Sequence, residues 1–417
     1  MKFWILILLS FLTSSCSPQK INKSDWTTDI EFLKKELPAK HIDFFFEQDK
    51  LTFENGLDKI LSQQKELSDF EIAIKLQELI AKFGDSHTKI KWNKYIQKNK
   101  IIPIKALWFE DGIYIIKTTN KNRGILGKKI KGINGIDISV IVDKLSYLIT
   151  IDNQAVIHKT IPELLSSIQL LEYFDIVKGN KIEFELINEK GNTEKHIVTI
   201  EPLTKENNVN VQLKSLPYYL QNERKLFWSK YIKESGIYYI QYNKCLSKEV
   251  ELNYGNPKRA EKLPSFVDFE NEVFTTIKKN KINKLIFDMR FNSGGSSPQG
   301  TEFIKKLSDF KNVNQKGKLF VIIGRWTFSS AILNTLDFKK YTNATIVGES
   351  TSGKPNHYGE VRSFNLPKSK LEVYYSTKYF KRVEDDLGTI KPDIEIKTSF
   401  DDFINGIDPA FEWIKNK

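Results

Sequence analysis

Between Lys284 and Val347 the chain alternates short apolar runs with helix-like segments, and no other feature restricts its fold as much. Lys284–Met289, Leu319–Ile323 and Ala344–Val347 read as strands, with helical patterns from Gln299 to about Phe310 and from Ser329 to about Tyr341 between them. Strands joined through single helices and short loops imply right-handed crossovers and a largely parallel sheet. Such a sheet presents its sites beyond the carboxyl ends of its strands. The loops Arg290–Pro298 and Gly324–Phe328 fall there, and Gly348–Glu360 follows the third strand.

Upstream, Trp26, Ile30, Leu33 and Leu37 recur at helical spacing, as do Ile72, Leu76, Leu79, Ile80 and Phe83. Pro38 interrupts between them, and Ser68 with Glu71 forms a capping-box signature. This small helical module ends at Gly84, immediately before Asp85-Ser86-His87-Thr88. From about Ile101 the texture changes to short strands, Gly112–Ile116, Lys129–Ile133 and Lys181–Ile187, with Asn134-Gly135 as a turn. The run from Gly127 to Ile136 resembles a degenerate segment of PDZ domains, without a convincing carboxylate-binding loop. Residues 204–222 are polar and read as linking.

The first residues carry an export pattern: Lys2, the apolar stretch Phe3–Leu12, then Thr13, Ser14, Ser15 and Cys16. The apolar stretch is too short to cross a bilayer as a mature helix. A small-residue run ending in cysteine resembles the lipobox of bacterial lipoproteins, although Leu12 lies four residues before Cys16 instead of three. That resemblance implies acylation of Cys16 and a lipid anchor at the cell envelope, on a periplasmic or outer-membrane face. Cys245 is then the only thiol left, so no intramolecular disulfide can form. The formal charge of +12 comes from lysines scattered among acidic residues with no dense block, which argues against a nucleic-acid partner. The expected partners are the membrane, through the anchor, and a protein or peptide substrate. Oligomeric state leaves no mark in the sequence.

Ser329 stands where a strand and tight loop meet a helix, in the positive field of the helix N-terminus and beside the unpaired N–H of Ser330. Taken alone, a serine there is a helix cap. The paired glycines Gly294 and Gly295 at the same sheet edge change that balance, because glycine lets the backbone approach a ligand and aim N–H groups at it. Neither GxxxxGK[ST] nor GxGxxG is present, and no HExxH or other metal spacing occurs, so no nucleotide, metal or other cofactor is implied. Lys354, in the third loop, is a candidate base if burial lowers its pKa.

Three ordered segments, Leu285-Ile-Phe-Asp-Met-Arg-Phe-Asn-Ser-Gly-Gly, Thr327-Phe-Ser-Ser-Ala and Ile346-Val-Gly-Glu-Ser-Thr-Ser-Gly-Lys, resemble the carboxy-terminal processing (tail-specific) and tricorn-core serine peptidases. The resemblance implies a ClpP/crotonase-like α/β core with a largely parallel sheet, an N-terminal helical module and a degenerate PDZ-like module. The corresponding division is signal 1–15, tether 16–25, helical module 26–95, PDZ-like module 96–203 and core 204–417. It implies a serine endopeptidase acting through Ser329, with an oxyanion hole from Ser330 and Gly294 or Gly295. One branch of the family takes a lysine as base, here Lys354. The tricorn-like branch uses a Ser-His pair, which Ser86-His87 resembles, and a glutamate near the C-terminus, here Glu384 beside Asp385 and Asp386. Imidazole needs little pKa shift to act near neutral pH, so His87, oriented by Ser86, is the preferred base. The alternative is a non-catalytic envelope lipoprotein that binds a ligand or peptide tails on the same fold.

Overall fold

The computed structural model describes residues 22–417, apart from 180 and 386. The signal stretch, Cys16 and Asp386 lie outside the described residues. Three helices, Lys23–Lys40, Lys50–Gln63 and Asp69–Ala81, open the chain. Trp26, Ile30, Leu33 and Leu37 are buried along one face of the first, as their spacing requires. Ser68 and Glu71 form the expected reciprocal cap, Ser68 N donating to Glu71 Oε2 (2.7 Å) and Glu71 N to Ser68 Oγ (3.3 Å). Pro38 does not divide the helix, which runs on to Lys40. A proline in the last turn removes one backbone bond where the helix is already ending, so the interruption expected there costs little.

The middle of the chain forms an antiparallel sheet in the order Lys105–Phe109, Gly112–Thr119, Lys129–Ile133, Glu183–Ile187 and Thr193–Ile197. Asn134 (φ 49°) and Gly135 (φ 80°) make the turn into Ile136–Asp137, a pair of positive φ values that suits a tight hairpin. The helices Ile138–Ser146 and Gln154–Leu164 pack on this sheet. Their apolar residues share one continuous core with the N-terminal helices. Residues 204–222 are not a free linker: Asn208–Asn210 pairs with Lys117–Thr119, and Tyr219 is buried. Backbone pairing needs no apolar side chains, so the polar composition concealed this strand.

The last part is a six-stranded sheet in the order Ile394–Glu395, Thr345–Gly348, Leu319–Ile323, Lys284–Asp288, Ile237–Tyr242 and Phe227–Ile232. All pairings are parallel except the last, which is antiparallel. Strand alternation divides the apolar side chains between two faces. Leu285, Phe287, Val321 and Ile323 pack under the helices Phe266–Lys279, Ser297–Ser308 and Ser330–Tyr341. Ile286, Phe320 and Ile322 face the C-terminal helix Pro409–Lys415. Burial on both faces is what parallel strands require.

A long hairpin, His357–Asn365 with Glu372–Phe380, leaves this core and reaches the N-terminal helices. Lys89–Ile90 adds a third strand to it, Lys89 opposite Tyr374. Asp29 fixes the hairpin tip, accepting from Lys368 N and Ser369 N at 2.7 Å each. The segment carrying Asp85, Ser86 and His87 is thereby tied to the core more than 240 residues away from Ser329 in sequence.

Candidate active site

Leu319–Ile323 runs out of the sheet into Gly324–Phe328, and Ser329 then precedes the helix Ser330–Tyr341 with φ 54° and ψ −126°. A non-glycine residue in that region costs about 1–3 kcal/mol and persists only where its surroundings enforce it. Here they do. Thr327 Oγ1 donates to Met289 O (2.9 Å) and accepts from Gly324 N (3.0 Å), while Phe328 N donates to Asn292 O (3.0 Å). Ser330 Oγ donates to Gly295 O (2.6 Å). Ser329 occupies the cap position but makes no capping hydrogen bond. The ordinary structural use of a serine at a helix start is therefore absent.

Gly294 (φ 95°) and Gly295 (φ 139°) lie directly against this turn. A Cβ on Gly294 would come within 2.8 Å of Ser329 Cβ and 3.0 Å of Ser330 N. On Gly295 it would meet Cys245 O at 2.1 Å. Gly295→Ala is expected to cost about 1–3 kcal/mol of stability from overpacking alone, readable as a lowered urea midpoint. Gly294 N is already committed, donating to Asn292 Oδ1 at 2.9 Å. Of the three expected oxyanion donors, Gly294 instead provides the close approach, leaving Ser330 N in the first helical turn and Gly295 N. Asn292, quoted in the motif without a role, is fully buried and also donates to Tyr242 O (3.0 Å). Cys245 N donates to Gly294 O (3.1 Å), and Ser296 N to Cys245 O (2.7 Å). The glycine pair is thus sewn to the neighbouring strand end.

His87 comes to this site from the other end of the chain. Its ring stacks on Phe328, the residue before Ser329, with centroids 4.6 Å apart, and lies 5.7 Å from His357. The ring is buried, and neither of its nitrogens has a hydrogen-bond partner among the described residues. Burial, helped by His357, Lys89 and Lys159 and opposed by Asp85, lowers its pKa to about 4. The imidazole is therefore neutral at pH 7 and able to accept a proton.

The carboxylate facing it is Asp85, with Oδ1 3.8 Å from His87 Nδ1 and accepting from His87 N at 2.9 Å. Asp85 Oδ2 is 3.0 Å from His41 Nε2 and accepts from Thr88 Oγ1 (2.5 Å). Asp43 N donates to His41 Nδ1 (3.0 Å), which leaves the proton of a neutral His41 on Nε2, aimed at Asp85. Burial works against the Asp85 carboxylate, but the His41 bond, His87 and Thr88 outweigh it and hold the pKa at about 2.

Glu384 is not the acidic partner expected from the sequence. Its side chain is 87% exposed and pairs with Lys381 at 2.8 Å, a surface contact with no hold on an imidazole. Ser86 does not bond the His87 ring either; its hydroxyl faces Asp152. Lys354 lines a neighbouring cavity of about 190 Å3 with Ser86, Asp152 and His357. Its ammonium pairs with Asp152 (3.6 Å) and Glu47 (3.9 Å), whereas a lysine base needs an unpaired amine. Asp85 and His41 were missed because their contacts are tertiary; the one sequence signal was the position of Asp85, two residues before His87.

A larger cavity, about 670 Å3, lies between the Lys105–Phe109 edge strand, the Gln154–Leu164 helix and the core. Lys159 and Trp326 put it beside the Ser329 loop. Arg325 spans it, bound to Glu349 through Nε (2.9 Å) and Nη2 (2.8 Å) and to Trp108 O through Nη1 (2.5 Å).

No family model matches the sequence, and no curated protein matches it. Solved structures do. Mature CPAF complexed with lactacystin superposes with a TM-score of 0.64 at 12% identity, over 94% of this chain and 97% of that one. Mature CPAF alone gives 0.63 at 12% identity, over 94% and 96%. The tricorn protease gives 0.45 at 14% identity, over 94% of this chain and 36% of that one. From the first helix to the last, this chain therefore has the fold of mature CPAF.

Proposed function

We propose that the protein is a serine endopeptidase of the tail-specific or tricorn-core type, hydrolysing peptide bonds through an acyl-enzyme on Ser329. The observation that carries this reading is Ser329 itself. It is held in a strained turn at a helix N-terminus, its hydroxyl is unspent as a cap, and a buried neutral histidine with two unpartnered nitrogens is stacked on the preceding residue. The fold shared with mature CPAF supports it.

In this mechanism Ser329 Oγ attacks the substrate carbonyl carbon while His87 takes the hydroxyl proton. Asp85 steadies the imidazolium that forms, its own low pKa keeping it ionised. The N–H groups of Ser330 and Gly295 receive the developing oxyanion, aided by the helix N-terminus. His87 then gives its proton to the leaving amine, and water, activated by the same ring, releases the acyl group. Lys354 has no proton-transfer role.

The six-stranded sheet corresponds, in this proposal, to a ClpP/crotonase-like core, and residues 96–203 to a PDZ-like module. Cys16 carries the lipid anchor, which places the substrates among proteins or peptides of the cell envelope. A fluorophosphonate tests the chemistry directly. The adduct should map to Ser329 by mass spectrometry, be absent from Ser329→Ala, and form about 10²-fold or more slowly in His87→Ala. An adduct at another residue would refute the assignment.

A further inference from the structure

Two lysines flank Ser329 without a carboxylate to pair with. The Lys159 ammonium lies 4.9 Å from the centroid of the Phe328 ring and 3.5 Å from Ser352 Oγ. Lys244 donates to Ser293 Oγ at 2.6 Å, and Ser293 precedes the glycine that packs on Ser329. Both side chains are half-buried. Among the described residues no carboxylate oxygen lies within 4.0 Å of either nitrogen. Of the other cations nearby, Lys354 pairs with Asp152, Arg325 with Glu349, and Arg290 with Asp288 and Asp408, while the Lys89 ammonium lies 5.9 Å from the centroid of the Tyr374 ring.

Holding cations half-buried and unpaired is unfavourable. Burial, then the charges of Lys89 and Lys244, with Glu163 opposing, push the Lys159 pKa down to about 8, and burial lowers that of Lys244. At neutral pH Lys159 is still mostly protonated. An incoming carboxylate would relieve both the burial of the charge and the mutual repulsion of the lysines. Serine hydroxyls, the present partners, are neutral placeholders that a carboxylate would outbid, since charge-assisted hydrogen bonds are about twice as strong as neutral ones.

We propose that Lys159 and Lys244 form a carboxylate subsite beside Ser329, selecting peptides with an acidic group next to the reacting bond. This rests on the peptidase reading for its consequence in cleavage, but not for its consequence in binding. The acidic group is an aspartate or glutamate side chain, or a free chain terminus. Both present the same oxygens.

The test uses matched peptides that differ by Glu against Gln at each position in turn, and by a free against an amidated C-terminus. Cleavage by the wild-type protein is compared with Lys159→Gln, Lys244→Gln and Lys159→Arg. Binding of the same peptides to Ser329→Ala is measured by calorimetry. Expected is a preference of about tenfold or more for the acid at one position, shrinking in the Gln variants and retained in Lys159→Arg. Retention in Lys159→Arg separates charge recognition from a damaged fold. A preference confined to the free terminus identifies that source; one confined to Glu identifies the side chain. Acid-selective binding without any cleavage would keep the subsite and sink the peptidase. Cleavage with no acid preference, a preference unchanged in both Gln variants, or no binding and no cleavage of any peptide would overturn the subsite.

Discussion

His87→Ala is expected to fold and to lose roughly 10⁴-fold or more in kcat/KM, the scale on which removal of a serine hydrolase's base falls. Lys354→Ala should change kcat/KM only a few-fold, because that ammonium is held by Asp152 and Glu47. Among the described residues the His87 ring makes no hydrogen bond whose loss would unfold the protein. Its pKa also sets the pH dependence. A base acts only when unprotonated, so a pKa of about 4 carries the acid limb of kcat/KM well below the ordinary histidine value of 6.5. The profile should stay flat from neutral pH to about pH 5 and fall by half near pH 4. Stability follows the same group. The unfolded histidine binds a proton at higher pH than the folded one, so stability is lost as pH falls from about 6.5 through 4. His87→Ala should remove that part of the loss. The Asp85 part, lost as pH falls from about 4 to 2 in the wild type, is reduced but not abolished in the variant, because the His41 and Thr88 bonds still hold that carboxyl down. Denaturant midpoints of the two proteins, compared from about pH 3 to about pH 7, would measure the difference.

Arg290→Met is expected to destabilise the protein by about 3–5 kcal/mol, the penalty for stranding buried carboxylates. Arg290 Nε donates to both oxygens of fully buried Asp288 (3.1 and 2.9 Å), and its Nη1 and Nη2 grip Asp408 (3.1 and 2.8 Å). Tyr239 OH donates to Asp288 (2.7 Å), and Tyr219 lies under the guanidinium at 4.5 Å. Asp408 in turn caps the C-terminal helix through Phe411 N. The network fastens a strand end, a helix start and the loop leading to Gly294. Urea unfolding should show the loss as a lowered midpoint. Arg290→Lys should recover only part of it, because a point charge cannot bind two carboxylates in a fork.

These two residues show what the sequence made legible. Alternating strands and helices announced the parallel sheet, and the Ser329 turn and glycine pair stood out because a tight strand-to-helix turn and positive φ leave local marks. Asp288 and Arg290, in the same motif, are structural; no spacing distinguishes a buried anchor from a catalytic pair. Position along the chain alone points to Glu384, while the role of Asp85 comes from three-dimensional contacts with His41, His87 and Thr88. The His357–Asn365 strand is not legible in the sequence, because its middle is exposed on both faces and lacks the period-two pattern. That hairpin is what brings His87 to the core, so the site's assembly was the least legible part.

The central claim, peptide hydrolysis by Ser329, is tested most directly by following degradation of an unfolded protein such as casein by the wild-type protein and by Ser329→Ala. Degradation by the wild type that vanishes in Ser329→Ala, with both proteins equally folded by circular dichroism, is the predicted result. Equal degradation by the two, or none by the wild type, would contradict it.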